Sequence, residues 1–361
     1  MSEKLRVGIL GATGMVGQRF VALTENHPWF ETVMVAASPR SAGKTYAEAV
    51  EGRWKMETPI PAAVRDLKIV GVDEVDKIAS EVDFVFSALA MSKDEIRELE
   101  ERFARADVPV VSNNSAHRWT PDVPMIIPEI NPEHAQIIDV QRKRLGTKRG
   151  FIAVKPNCSI QSYTPVLAAW KKWEPYEVLA CTYQAISGAG KNFAEWPEME
   201  GNVIPFISGE EEKSEKEPLR IFGHIENDAI VPADNIAITS QCIRIPVLYG
   251  HTAATFVKLK KKAEKDELIA ALEAFSGKPQ ELGLPNAPKQ FIRYMTEENR
   301  PQVVADVNYE RGMGVSIGRL REDTLFDWKF VGLSHNTMRG AAGGAVECAE
   351  LLKALGYIDK K

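Results

Sequence analysis

Several things are scarce in this sequence. Only four cysteines occur in 361 residues (Cys158, Cys181, Cys242 and Cys348), far apart and with no CxxC pair. That excludes a disulfide framework, a zinc ribbon and a thioredoxin-like motif, leaves no metal site to expect, and fits a reduced, cytoplasmic protein. No apolar run approaches the roughly 18 residues that span a bilayer. Met1-Ser2-Glu3-Lys4 leads straight into an apolar strand with no signal-peptide pattern. Positive charge is not in excess: 45 Lys and Arg face 50 Asp and Glu, a net charge of −5. Nucleic acid and anionic membrane are therefore poor partners. Internal repeats and low-complexity segments are also missing.

What remains is ordinary globular composition, 44% hydrophobic and 26% charged, in a chain long enough for two domains. The most informative stretch is Val154-Lys155-Pro156-Asn157-Cys158-Ser159-Ile160-Gln161. Phe151 to Val154 reads as a short buried strand that Pro156 ends, and Ser159 to Trp173 reads as a helix. A thiol at a helix start sits at the positive end of the helix dipole, which favours the nucleophilic thiolate over a structural cysteine.

The first 150 residues alternate strands and helices. Leu5–Leu10 is an apolar strand with Arg6 as its one charge, followed by Gly11-Ala12-Thr13-Gly14-Met15-Val16-Gly17 and a helix. Glycines at such a strand–helix junction let backbone N–H groups approach a pyrophosphate. Strand Val33 to Ala37 ends at Ser38-Pro39-Arg40-Ser41. An acid would hold the ribose hydroxyl of NAD there; a cation and hydroxyls suit the 2′-phosphate of NADP. Lys68 to Val70, Phe84 to Ala88 and Val110 to Ser112 read as further strands, with a helix over Lys93 to Ala106. The alternation implies a doubly wound parallel sheet. Ser87-Ala88-Leu89 and Ser112-Asn113-Asn114-Ser115-Ala116-His117-Arg118 end two strands at the edge where ligands of such sheets bind. Arg118 is either an anion ligand or a surface partner of Asp122.

In the second half, Thr182 to Ile186 reads as a strand, leading to the small-residue loop Ser187-Gly188-Ala189-Gly190. Gln184, polar within that strand, faces a ladder neighbour or a ligand. Glu210 and Lys213 share a face of a charged helix. Arg244 lies in an apolar run, where a guanidinium needs an anionic partner, and His251 follows a glycine at a strand junction. His27 and His134 sit in polar, surface-like sequence. Lys261 to Phe275 reads as a helix that Gly277 could cap, and Phe326 to Leu333 as a strand. The run His335 to Gly344, rich in Gly and Ala, leads into a last helix ending near Leu355.

Taken in order, GATGMVG, PNCS, YQAISGAG, the seven-residue spacing from Arg244 to His251, and HNTMRGAAG resemble aspartate-β-semialdehyde dehydrogenases of the archaeal and fungal type. The resemblance covers essentially the whole chain. It implies an α/β protein: a Rossmann-like NADP-binding domain over 1–155, with 335–361 packing back onto it, and an α+β catalytic and dimerisation domain with a large mixed sheet over 156–334. It implies reductive dephosphorylation of L-aspartyl 4-phosphate in lysine, threonine and methionine biosynthesis, through a thioacyl intermediate on Cys158 with His251 as acid–base. Asn157 would touch the oxyanion or acyl phosphate, and Gln184 would orient the substrate. Arg244 would clamp its carboxylate, Glu210 its amine, and Arg118 and Lys213 the phosphate. Gly11, Thr13, Gly14, Met15, Val16, Ser38, Arg40, Ser41, Ser87, Ala88, Leu89, Ser187 and Gly188 would bind NADP, with Asn336 at the nicotinamide. A homodimer or homotetramer follows from the same resemblance. Two rivals share fold or cofactor: a malonyl-CoA or succinyl-CoA reductase, and a non-catalytic NADP-binding sensor. N-acetyl-glutamyl-phosphate reductase is disfavoured because it has no free α-amine for Glu210 to meet.

Overall fold

A computed structural model describes residues 4–361. Six strands, β1 Leu5–Leu10, β2 Phe30–Ala37, β3 Val70–Gly71, β4 Phe84–Ser87, β5 Val110–Ser112 and β6 Ile152–Val154, form one sheet in the order β3-β2-β1-β4-β5-β6. Every neighbouring pair is parallel. Strands buried on both faces read as continuous apolar runs, and β1 and β4 do. Phe20, Phe30, Phe84 and Phe86 interlock beneath the sheet, with Phe20 stacked on Phe86 at 4.4 Å. Each such ring contributes about 1.5–3 kcal/mol by burial. The order reverses between β1 and β4, so a crevice opens past their carboxyl ends. Ser92 and Glu95 close a capping box that starts the Lys93–Arg105 helix, close to the expected span.

The second sheet uses β7 Pro175–Gln184, β10 Ala237–Arg244, β11 His251–Leu259, β12 Ile292–Met295, β13 Val315–Glu322 and β14 Trp328–Ser334, in the order β10-β7-β11-β14-β13-β12. It is mixed: β10/β7 and β12/β13 are parallel, the other pairs antiparallel. A small hairpin, β8 His224–Glu226 and β9 Ala229–Val231, stands apart. One face, with Val178, Ala180, Ala253 and Val257, is buried. The other, with Leu179, Cys181, Tyr183, Ala254 and Phe256, stays half-exposed.

Several expected elements differ. The span Ser159 to Trp173 is not one helix: a 3₁₀ turn Ser159–Ser162 precedes a helix Thr164–Ala169 and a second 3₁₀ turn Lys171–Trp173. Pro165 has no N–H to bond backward and fits only a helix's first turn, so the helix cannot begin at Cys158. Ile160 is fully buried in the core. β7 starts well before Thr182, and Ile186 lies in the following turn. The helix expected over Lys261 to Phe275 is Lys265–Glu273, and Gly277 instead precedes the Lys278–Leu282 helix. The last helix is Gly343–Ala354. It lies in the same apolar core as Leu5, Val7, Phe84 and Phe151 of the first sheet. Among the described residues no helix is long and apolar enough to cross a membrane.

Candidate active site

Cys158 follows β6 in a sharp turn and opens on a cleft of about 260 Å³ between the two sheets. His251, the first residue of β11, puts its Nε2 3.3 Å from the Cys158 Sγ. The backbone N–H of Ala185 donates to His251 Nδ1 at 3.0 Å. Nδ1 therefore carries no proton, and the neutral ring presents an N–H on Nε2 to the sulfur. Burial, aided by the Arg244 guanidinium, pushes the imidazole down to about 3. Burial and the Glu210 carboxylate push the thiol up to about 11, against the pull of Lys155, Arg118 and Arg244. This corrects the expectation of a dipole-favoured thiolate: without ligands the pair rests as neutral thiol and neutral imidazole.

Around the sulfur the charges are tied by short bonds. Glu210 begins the Glu210–Ile221 helix and accepts from Lys213 Nζ at 2.7 Å and from Asn157 Nδ2 at 3.0 and 3.1 Å. Burial would raise its carboxyl; the lysine and the amide outweigh it and hold the group below its ordinary value. Of the three adjacent glutamates only Glu210 faces the cleft. Glu211 bonds Gln241, and the exposed Glu212 bonds Lys216. Asn157 Oδ1 accepts from the N–H and hydroxyl of Ser159 at 2.8 and 2.6 Å. Its amide is thus engaged on both sides and tethers Glu210 to the nucleophile's loop.

Arg118 lines the cleft, but not beside Asp122, which pairs with Arg144. Its Nη1 donates to Glu217 at 2.9 Å and its Nε to the Lys155 carbonyl at 3.0 Å. Glu217, fully buried, also accepts the Asn157 N–H at 2.6 Å. One carboxylate thereby fixes both the cation and the loop that carries the thiol. Arg244 donates to the Ala185 carbonyl at 2.7 Å and makes no ion pair among the described residues. Among the described residues nothing supplies the anion that a buried guanidinium ordinarily has beside it. A Cβ on Gly188 would lie 2.9 Å from Arg244 Nη1 and 3.3 Å from the His251 ring, so only glycine admits both side chains. Gln184 is 1% exposed and donates to Thr182 Oγ1, two residues earlier on the same strand, at 3.2 Å.

The dinucleotide residues fall along the crevice of the first sheet. Gly11 has φ +82°, and a Cβ there would meet the Ala88 carbonyl at 2.2 Å, so the loops after β1 and β4 touch at the switch point. Gly14 starts the Met15–Thr24 helix with no side-chain cap and no acid in the first turn, leaving its N–H groups open to an anion. Val16, Ser187, Gly188 and Asn336 line the cleft itself, and Met15 lines an adjoining pocket. Arg40 and Ser38 are exposed, and Ser41 is half-buried beside them, with no carboxylate among the three. Ser87 is fully buried and accepts from the Asn114 amide at 3.2 Å. Leu89 is also buried, and Thr13 stands in the glycine loop. Asn336 bonds Ser187 at 2.8 Å and the Gly250 N–H at 2.9 Å. Asn113 Oδ1, at the cleft wall, is buried without a partner among the described residues. An uncapped helix start, a glycine-walled crevice and an orphaned acceptor fit a bound dinucleotide.

The polar cluster after β5 does reach the cleft, through Asn113, Asn114 and Ser115, while sequence reasoning gave no site role to Thr337, Gly340 and Ala341 in its wall, or to Lys155 and Glu217 behind it. Gly340 had a signal in its small-residue run: a Cβ there would press 2.8 Å from that of Cys158. The placement of His27 and His134 at the surface is also corrected. Both are buried, His27 against Glu350 at 2.7 Å and His134 against Asn131 at 3.0 Å.

Fold and cleft define a class: two-domain dehydrogenases with a Rossmann half, a mixed-sheet half and a cysteine between them. Residues 6–138 match the family described as semialdehyde dehydrogenase, NAD binding domain, and residues 165–339 match semialdehyde dehydrogenase, dimerisation domain. An aspartate-semialdehyde dehydrogenase of Methanothermobacter thermautotrophicus is 42% identical over 97% of this chain and 99% of its own. That of Saccharomyces cerevisiae is 38% identical over 99% and 100%. The structure of the Candida albicans enzyme with NADP superposes with a TM-score of 0.87 at 35% identity, covering 99% of this chain and 100% of that one. The chain belongs to the aspartate-semialdehyde dehydrogenase family.

Proposed function

We propose that the chain reduces L-aspartyl 4-phosphate to L-aspartate 4-semialdehyde with NADPH, releasing phosphate, in amino-acid biosynthesis in the cytoplasm. The observation that carries this reading is the 3.3 Å approach of Cys158 Sγ to His251 Nε2, at a cleft lined by Arg118 and the Glu210–Lys213 pair, with Arg244 packed against Gly188 of its wall. NADPH, when bound, supplies the hydride; Gly11, Gly14 and Val16 would hold it, with Arg40 at the 2′-phosphate.

The Cys158 sulfur attacks the acyl carbon: a C–S bond forms, the C–O bond to phosphate breaks, and the thiol proton leaves with the phosphate, which departs toward Arg118 and Lys213. After hydride reaches the thioester carbon, the C–S bond breaks, giving the aldehyde and returning the electron pair to sulfur. His251 presents its Nε2 proton to the sulfur or to the developing oxyanion. Arg244 orients the substrate carboxylate, and Glu210 the amine. Residues 1–155 with 335–361 would serve the dinucleotide, and 156–334 the chemistry and self-association. A second copy, in a homodimer or homotetramer, would cover the half-exposed face carrying Leu179, Tyr183 and Phe256.

The test is turnover of semialdehyde, phosphate and NADP, with and without alkylation of Cys158 by iodoacetamide. Loss of turnover on alkylation, and dependence on phosphate, are expected. Phosphate-independent activity with an acyl-CoA, or full activity after alkylation, overturns the reading.

A further inference from the structure

Glu100 is fully buried on the Lys93–Arg105 helix, which links β4 to β5. A buried carboxylate ordinarily faces a cation. This one faces neutral side chains: Ser112 Oγ donates to its Oε1 at 2.6 Å and Asn114 Nδ2 at 3.3 Å. Its Oε2 is buried without a hydrogen-bond partner among the described residues. Burial pushes the carboxyl up, against the bonds from Ser112, Ser87 and Asn114.

Those partners stand where two neighbouring strands end. Ser87 closes β4, Ser112 closes β5, and the two residues pair across the sheet. The Ser112 hydroxyl accepts the backbone N–H of Asn114 at 3.0 Å while it donates to Glu100. Asn114 Nδ2 donates to Ser87 Oγ at 3.2 Å as well as to Glu100. Both amide hydrogens of Asn114 thus point inward, beneath the crevice. In a planar amide the carbonyl lies away from the NH₂, so Oδ1 turns toward the cleft that Asn114 lines with Val16, Ser187 and Asn336.

We propose that Glu100 is a positioning residue for the dinucleotide: from beneath the crevice it holds the Asn114 amide with its carbonyl outward, as the acceptor for a hydrogen-bond donor on the nicotinamide riboside of NADP. This rests on the reading of the cleft as the NADP site. An outward carbonyl takes a donor and repels an anion, so the amide does not serve the phosphate of the substrate. Arg118, four residues on, is fixed separately by Glu217 and the Lys155 carbonyl. The loop between is tied to the same helix by other bonds: Arg97 Nη2 donates to the Ala116 carbonyl at 3.0 Å, and His117 Nε2 lies 3.2 Å from the Arg97 carbonyl. Loss of Glu100 therefore frees the amide rather than the loop.

The experiment measures NADP binding by calorimetry, with melting temperature and steady-state KM values alongside. Wild type, Glu100→Leu, Glu100→Gln, Asn114→Ala and the Glu100→Leu/Asn114→Ala double variant are compared. Glu100→Leu should raise the Kd for NADP about fivefold to tenfold, the loss of one hydrogen bond, with the KM for phosphate within about twofold of wild type. Glu100→Gln, which keeps an acceptor of the same shape, should restore the Kd. The double variant should bind no more weakly than Asn114→Ala, because one residue acts through the other. An NADP analogue with an acetyl group in place of the carboxamide identifies the donor. Equal binding of it by wild type and Asn114→Ala assigns the carboxamide N–H; a persisting difference assigns a ribose hydroxyl. Glu100→Leu that melts lower yet binds NADP as wild type does overturns the proposal, and so do additive losses in the double variant or a Glu100→Gln as impaired as Glu100→Leu. If Glu100→Leu does not fold, an unchanged Kd in Asn114→Ala overturns it. Wild type that fails to bind NADP would instead remove the reading of the cleft, and so separates the two failures.

Discussion

Two buried charge clusters flank the Cys158 loop, and they are built to opposite rules. Behind it, Arg339 is 1% exposed and fully answered: Glu129 at 2.7 and 2.9 Å, Glu347 at 2.7 Å, the Met313 carbonyl at 2.7 Å, and the Phe291 ring 4.6 Å from its guanidinium carbon. In front, Arg244 has one carbonyl and the thiol and imidazole are held neutral. Saturated cations hold the fold. Arg244 has no ion-pair partner among the described residues, whereas Arg339 has two. Burial alone does not distinguish the two; the tally of partners does.

The contrast can be broken from either end. The largest effect is expected in front: Cys158→Ala should fold and lose turnover by about a thousandfold or more, as removal of a covalent nucleophile does. Parity of rates with wild type would end the covalent scheme. Behind, Arg339→Met strands two buried carboxylates and should cost about 3–5 kcal/mol in denaturant unfolding. A loss under 1 kcal/mol would show that the rear cluster is not the tie its geometry suggests. Glu217→Gln tests the join between the clusters, because that carboxylate holds both Arg118 and the Asn157 N–H. A charged hydrogen bond contributes about 1.5–3 kcal/mol, so kcat/KM should fall roughly tenfold to a hundredfold, with the KM for phosphate rising. The smallest effect is at the rim: Arg40→Ser should cut the preference for NADP over NAD by about tenfold, a salt-screened cation–phosphate contact, measured by the ratio of the two kcat/KM values.

Much of the front was legible in sequence, and for physical reasons. β1 and β5 were read to the residue because apolar runs bounded by Gly or Pro have few alternatives. The shared face of Glu210 and Lys213 followed from helical spacing, and the role of His251 from the resemblance rather than from the glycine before it. What stayed hidden depends on partners far along the chain. Arg118 and Glu217 are 99 residues apart, and no local pattern links them. Glu217 lay inside a run of charges that reads as a solvated helix face. Lys155 drew no reading of its own, because nothing nearby announces that Gly344 will close over it. The expected thiolate failed for a similar reason: Pro165 broke the helix that was to supply the dipole.

The placement of the Gly343–Ala354 helix has a consequence for synthesis of the protein. Val346, Leu351 and Leu352 share a core with strands from the first 154 residues, and Gly340 walls the nucleophile. A ribosome delivers those strands long before their cover. Until the later segment emerges, the apolar flank it covers is open and the wall it gives the pocket is missing.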